Sequence, residues 1–296
     1  MTSDAAGFFG PDSATWMVDR EMVLFLGGPR ALLLQIAHPA VAAAVEEHSD
    51  FRVDPLGRLN RTLDSVFNIV FGDRKSASEA AARVVRRHGP VKGVIDEAST
   101  SPWSGKKYHA QDPELLLWVH ATLVDTALQV FRQVVRDLER SEAERYYEES
   151  CVVGEMLGIP RTVLPKTLSE FDDYFRSMIE GPMLHVGRIA REQKDDLVRL
   201  DPSYGFTSIY GADWGKRFGR ALDLPPMKRV YGSVVRVVAA GLLPPRVRDA
   251  YGYRWNARDR AVYRALVRSL RTTVQRLPAG LRFLPGYRRA VERALR

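Results

Sequence analysis

Helix-start signals recur along this chain. Ser76 with Glu79, Ser141 with Glu144, and Thr167 with Glu170 each show the S/T-x-x-E spacing. In that spacing the hydroxyl caps an amide three residues on, and the glutamate returns to the amide of the capping residue. Asp112 stands before Pro113 and Glu114, a capping aspartate ahead of a proline whose missing amide hydrogen costs nothing at a first helical position. The spacing predicts helices from Ser76 to at least His88, from Asp112 to about Leu138, from Ser141 to Gly158 and from Thr167 to Gly181. Earlier helices are predicted over Asp12–Leu26, Arg30–His48 and Pro55–Phe71. No stretch sustains the period-two alternation of a half-buried strand. The expected fold class is therefore all-α, one large helical domain over 1–296 with few strands or none. Gly89–Gly105 and Leu200–Gly215 read as irregular connections, and the segment from Lys228 onward as helix broken at Pro244-Pro245, Pro278–Gly280 and Pro285-Gly286.

Hydrophobic residues make up 45% of the 296, enough for a core that can enclose a cofactor. The single cysteine, Cys151, excludes an internal disulfide framework and a multi-cysteine zinc site. Met1–Pro11 lacks a basic region followed by an apolar core, so no secretory signal is read there and a cytoplasmic location is expected. Charge is unevenly placed. Lys228–Arg296 holds 17 Lys+Arg and 3 Asp+Glu, a net +14, against +8 for the whole chain. Two readings stay open for this segment: peripheral contact with an anionic membrane, or a solvated arginine face. No nucleic-acid partner is expected.

Several chemistries are excluded by motif. The chain has no G-x-x-x-x-G-K-[ST] loop, no G-x-G-x-x-G after a strand, no H-E-x-x-H and no G-x-S-x-G elbow. Gly27-Gly28-Pro29 has no strand before it and reads as a joint between helices. The six histidines are His38, His48, His88, His109, His120 and His185. No pair has the i, i+3 or i, i+4 spacing that sets two ligands on one helical face, and no Glu-x-x-His occurs. A cofactor held by one histidine is the economical alternative, and haem needs only one or two protein ligands.

His88 lies at a helix end, one turn beyond Val84 and Val85 and just before Gly89-Pro90. Its ring can enter an apolar cavity, or it can be a buried histidine bonded to a backbone carbonyl. Arg58, Arg61 and Thr62 fall at i, i+3 and i+4, so two guanidiniums and a hydroxyl share one helical face. That face suits carboxylates such as haem propionates, or polarises dioxygen; an exposed salt-bridged stripe is the alternative. His120 and Thr122 are two residues apart on one helix, roughly 200° around its axis, so they cannot both face one pocket. His38, ahead of Pro39, reads as a satisfied core histidine, and His48 as a residue near a helix end.

Together these segments resemble the family of the rubber oxygenases (latex clearing proteins) and the ER-bound oxygenase of mycophenolic acid biosynthesis. The stretches that carry the resemblance include His38-Pro39, Asp54-Pro55-x-x-Arg58, Arg61-Thr62, His88-x-x-Val91-x-Gly93, Asp112-Pro113-Glu114-Leu115 and Trp118-Val119-His120-Ala121-Thr122-Leu123, in order over about residues 8 to 180. The resemblance implies globin-like helix packing around a haem b pocket. It implies His88 as the iron ligand, with Arg58, Arg61 and Thr62 on the opposite side and His120 or Thr122 near the cofactor. The family's R-x-x-K-T reads here as Arg58-x-x-Arg61-Thr62, and an arginine, unlike a lysine, does not give up its proton. No residue matches the acidic base of the rubber enzymes, which points away from polymer cleavage. The function implied is a haem-dependent oxygenase acting with dioxygen on a small apolar or amphipathic substrate. A haem-binding protein without turnover and a cofactor-free membrane-surface protein are the alternatives.

Overall fold

The computed structural model describes residues 4–50, 53–96, 101–198 and 225–295. Among the described residues the chain forms fourteen α-helices and a single two-stranded sheet. It is an all-α protein.

The long helix Pro113–Val130 (here α6) runs through the core. Asp112 caps it by accepting the Glu114 amide at 2.9 Å, and Pro113 stands in its first turn. It does not reach Leu138. It runs into a π-helical turn, Phe131–Val135, and ends where Arg136 turns extended. There the Arg136 guanidinium forks onto the Glu142 carboxylate at 2.7 and 2.8 Å. The Pro113–Val135 stretch is long and apolar enough to cross a membrane by length and composition, and most of it is buried in the fold.

Other helices pack around α6 on both sides. The predicted Arg30–His48 helix is two, α2 (Gly28–Ile36) and α3 (Pro39–His48). Pro39 forces His38 into extended backbone, and the His38 ring caps the new helix by accepting the Ala40 amide. The predicted Asp12–Leu26 helix is also divided, into α1 (Ala14–Asp19) and a 3₁₀ stretch Met22–Gly27. Trp118 of α6 donates its indole N–H to the Leu34 carbonyl of α2 at 3.1 Å. On its other side α6 meets α7 (Arg140–Met156) and α8 (Leu168–Glu180) through a ladder of rings. Trp118, Phe175, Phe171 and Tyr147 follow one another with centroids 5.7, 6.3 and 4.9 Å apart.

Two of the three predicted capping boxes are displaced. The helix expected to begin at Ser141 starts two residues earlier, because Glu139 and Glu142 form the reciprocal box. The helix expected at Ser76 is α5 (Arg74–His88), capped by Asp73, which takes the Ser76 amide at 2.7 Å. Of the three boxes, the Thr167 one caps where predicted, accepting the Glu170 amide at 3.1 Å. The connection after His88 contains β1 (Lys92–Val94) and β2 (Lys107–His109), antiparallel with Lys92 opposite His109. The predicted irregular connection Leu200–Gly215 lies outside the described residues.

The chain continues through α9 (Arg188–Val198), α10 (Pro225–Leu242), α11 (Pro245–Ala250), α12 (Ala257–Val274), α13 (Ala279–Arg282) and α14 (Pro285–Ala294). The basic C-terminal helices share the core with the N-terminal ones. Tyr251 donates its hydroxyl to the Leu33 carbonyl at 2.7 Å, and Ala239, Leu243 and Val247 lie in the same buried cluster as Leu33, Trp118 and Tyr147.

Candidate functional site

The helix α4 (Pro55–Phe71) opens at Asp54, whose carboxylate accepts the Gly57 amide at 2.8 Å. Gly72 and Asp73 return the chain directly into α5, so the two helices form a hairpin. Ile69 is buried with Ala80 and Ala81 near its closed end. Farther out, Asp64 and Arg83 approach to 4.0 Å. Both helices rise 1.5 Å per residue. Five residues on from Arg83 is His88, and five residues back from Asp64 is Leu59. The hairpin therefore brings the Arg58–Thr62 turn level with His88.

His88 is the last residue of α5 and half-buried. Its Nδ1 is buried without a hydrogen-bond partner. Burial lowers its pKa, so the ring is neutral and keeps a free lone pair. The carbonyl-bonded alternative left open by the sequence finds no partner for this nitrogen. The helix end beneath it is tied down: Gln111 donates its amide to the Val85 carbonyl at 3.3 Å, and the Val91 amide bonds to the His88 carbonyl at 3.1 Å.

Across the hairpin the three α4 residues differ. Arg58 is half-buried, and burial together with the charge of Arg61 lowers its pKa. Arg61 turns to the start of its own helix, 3.1 Å from Asp54 and 3.7 Å from Asp50. Thr62 is exposed and donates to the Arg58 carbonyl at 3.0 Å. Arg61 and Thr62 are thus engaged locally, while Arg58 lies half-buried beside them.

His120 and Thr122 are both buried on α6 and face opposite ways, as their spacing requires. Thr122 faces α2: its hydroxyl donates to the Val119 carbonyl at 2.7 Å and accepts from Gln35 at 3.1 Å. It is a packing residue. His120 faces α7. Burial lowers its pKa to about 4, against a hydrogen bond to the Ser150 backbone that raises it. Its Nε2 is buried without a partner.

The space beside that nitrogen depends on Gly154, where a Cβ would lie 3.4 Å from His120 Nε2 and 3.3 Å from Leu164. One turn later α7 ends in a Schellman turn. Gly158 is at φ +95°, and the Ile159 amide bonds back to the Gly154 carbonyl at 3.0 Å. A Cβ at Gly158 would be 4.0 Å from both Val85 and Leu116. Val85 is one turn before His88, and Leu116 one turn before His120. The end of α7 thus joins the two helical segments whose histidines carry unpartnered buried nitrogens. Sequence reasoning used Gly158 as a helix stop and missed Gly154. The available signal was a glycine inside a helical pattern, which usually has a packing reason.

Of the other four histidines, His185 is tied through its backbone amide to the Ala37 carbonyl at 2.9 Å, and the remaining three have local side-chain roles. His38 is a cap whose pKa burial lowers to about 4, and its ring meets Trp103 edge-on at 5.0 Å. His48 lies 3.2 Å from the Lys92 carbonyl, and His109 accepts the Gln111 amide at 3.0 Å. Among the described residues no group of three or more His, Cys, Asp or Glu could hold a metal ion. A porphyrin iron asks the protein for one ligand, not three. The half-buried imidazole of His88, with its Nδ1 buried and unpartnered and level with the half-buried Arg58, fits that requirement.

The chain is a member of the family described as the ER-bound oxygenase mpaB/B′ and rubber oxygenase catalytic domain, whose model matches residues 15–272. It is an oxygenase-family catalytic domain. It is also similar to two proteins called uncharacterized, Rv2237 of Mycobacterium tuberculosis and Mb2261 of Mycobacterium bovis. Each is 24% identical over 195 residues, covering 64% of this chain and 67% of the relative. No solved structure matches the chain.

Proposed function

We propose that the protein is a haem b-dependent oxygenase, with His88 as the iron ligand, acting with dioxygen on a small apolar or amphipathic substrate. The observation that carries this reading is the buried, unpartnered Nδ1 of His88, level with the Arg58–Thr62 turn, in a chain of an oxygenase family. Haem, when bound, supplies the redox-active iron at which dioxygen is activated.

The chain's own residues do the rest. His88, kept neutral by burial, offers a lone pair at a helix end fixed by Gln111. Val84 and Val85 lie half-buried one turn below. Arg58 carries a fixed positive charge for a propionate or for negative charge developing on oxygen, and such a charge is strongest where water is excluded. Arg61 has no removable proton and holds the helix start through Asp54. His120, uncharged down to about pH 4, presents an acceptor nitrogen in an apolar wall of Leu164 and Ile159. Thr122 positions α6 against α2.

The test is the visible spectrum of the purified chain, as isolated and after incubation with haemin. A Soret band of about one haem per chain, lost in His88→Ala, supports the reading. A colourless protein that binds no added haem removes it. Oxygen uptake with apolar candidate substrates then separates turnover from simple haem binding.

A further inference from the structure

From Arg260 to Val291 the chain carries eight arginines and no acidic residue. Two of the eight are paired with carboxylates from elsewhere in the fold. Arg271 meets Asp137 at 2.7 Å, and Arg282 meets the buried Glu21 at 2.7 Å. Arg260 donates to the Trp255 carbonyl at 3.1 Å. Arg264, Arg268, Arg276, Arg288 and Arg289 are exposed and meet no carboxylate among the described residues.

Several of these converge on one corner, where α12 ends and α13 leads into α14. Arg268, Arg271, Thr272, Gln275 and Arg276 line an open groove of about 630 Å³. Beyond the groove the chain runs through exposed Pro278, Ala279 and Gly280 to Leu281, which is 57% exposed. The Arg288 guanidinium borders the same loop, 3.5 Å from where a Cβ on Gly280 would lie. Val262, on α12, is also 44% exposed. The corner therefore presents unpaired guanidiniums around an uncharged loop with an exposed leucine.

We propose that this corner docks the protein on an anionic membrane surface. Like charges gathered without counter-charges repel one another, and a negative surface relieves that repulsion. An aliphatic side chain among the cations matches the boundary between headgroups and acyl chains, which takes both charge and carbon. A nucleic-acid backbone would satisfy the arginines and leave Leu281 in water. The docking is independent of the haem reading, since none of these residues belongs to the His88 region.

The test is co-sedimentation of the full chain with phosphatidylcholine vesicles, with and without phosphatidylserine, at low salt. Binding is expected only with phosphatidylserine and should fall as salt screens it. Each cation near such a surface contributes about fivefold in affinity. The triple variant Arg268→Gln/Arg276→Gln/Arg288→Gln should therefore bind ~100-fold more weakly. These side chains are exposed, and an unchanged far-ultraviolet spectrum and melting curve verify the fold. Leu281→Ser should weaken the binding that persists at raised salt. Equal binding to pure phosphatidylcholine, or a triple variant that binds like the parent, would overturn the proposal. So would duplex DNA that displaces the vesicles and itself binds the triple variant poorly, which would assign the corner to nucleic acid.

Discussion

Asp64 and Arg83 face each other across the α4–α5 hairpin with Oδ2 and Nη2 4.0 Å apart. Both are well exposed, so the pair adds little stability. Its value is as a register mark, because it fixes which turn of α4 stands beside His88. His88→Ala should accordingly lose stoichiometric haem, while His109→Ala, a change in the β2 strand that caps Gln111, should keep it. Haem content and the Soret band report both. Wild-type haem in the His88 variant would pass the ligand role to His120, the other buried imidazole with an unpartnered nitrogen.

The same register makes Arg61→Lys informative. A lysine can lose its proton when buried and then bind iron, which an arginine cannot do. In the haem-loaded variant the ferric spectrum is expected to move towards a six-coordinate, low-spin form as pH is raised. A ferric spectrum unchanged from neutral to alkaline pH would leave Arg61 with only its ion pairs to Asp54 and Asp50.

Arg30 shows what a buried charge does elsewhere in the fold. It is fully enclosed and joins three helices, binding Asp125 and Thr126 of α6 and donating its Nε to the Leu242 carbonyl of α10 at 2.8 Å. Arg30→Met removes the charge and strands the Asp125 carboxylate, at a cost of about 3–5 kcal/mol. The double change Arg30→Met/Asp125→Leu should recover much of that, because an apolar pair carries no desolvation debt. Denaturant midpoints at constant slope measure both. A double variant no better than the single would mean that the bonds to Thr126 and Leu242, not the pair, carry the stability.

Much of the fold was legible because helix signals are local. The Asp112 and Thr167 caps act on amides two and three residues away, so their own neighbourhoods contain all the information needed. Ser76 and Ser141 misled because stronger caps stood just upstream. Asp73 takes the Ser76 amide, and Glu139 pairs with Glu142. The break at His38 was written in Pro39, whose ring restricts the preceding residue, yet the apolar run across it read as one helix. The strands were illegible because three residues cannot show a period. His88 and the Arg58–Thr62 turn stood out by spacing and by resemblance. The seam between His120, Gly154 and Gly158 did not, because it depends on α7 packing against residues more than thirty positions away.

Asp19 should give stability an unusual pH dependence. Burial pushes its carboxyl up to about 7, the hydrogen bond from Tyr146 at 3.0 Å pulls it down, and the nearby Glu149 pushes it up again. The unfolded chain has the ordinary value of 3.8. Between about 4 and 7 the folded state therefore holds the extra proton, and this group's contribution to stability falls as pH rises. His38 and His120, lowered to about 4, work the opposite way below the ordinary histidine range. Comparing Asp19→Asn with the parent isolates the aspartate, since asparagine still accepts from Tyr146. The variant should gain on the parent as pH rises from about 4 to about 7 and then level off. A difference independent of pH would show that Asp19 is ionised in the fold throughout.

Gly27 and Gly28 are neighbours with opposite demands. A Cβ on Gly27 would fall 2.4 Å from Thr126 Cγ2 and 2.9 Å from Val130 Cγ2, whereas on Gly28 it would meet nothing within 4 Å. Both have ordinary right-handed backbone, so strain is not the issue. Gly27 lets the 3₁₀ stretch lie directly on α6. Gly27→Ala should overpack that contact and cost about 1–3 kcal/mol. Gly28→Ala, at the first position of α2, should be neutral or gain about 0.4–1 kcal/mol by restricting the unfolded chain. Thr126 is also the residue whose hydroxyl accepts from Arg30. Pushing its methyl away should disturb that bond, so Gly27→Ala and Arg30→Met share part of their cost. The double variant is expected to lose less than the sum of the singles, as coupled neighbours do. Thermal melts of the four proteins complete the cycle. Strict additivity would mean that Thr126 yields to the new methyl without releasing Arg30.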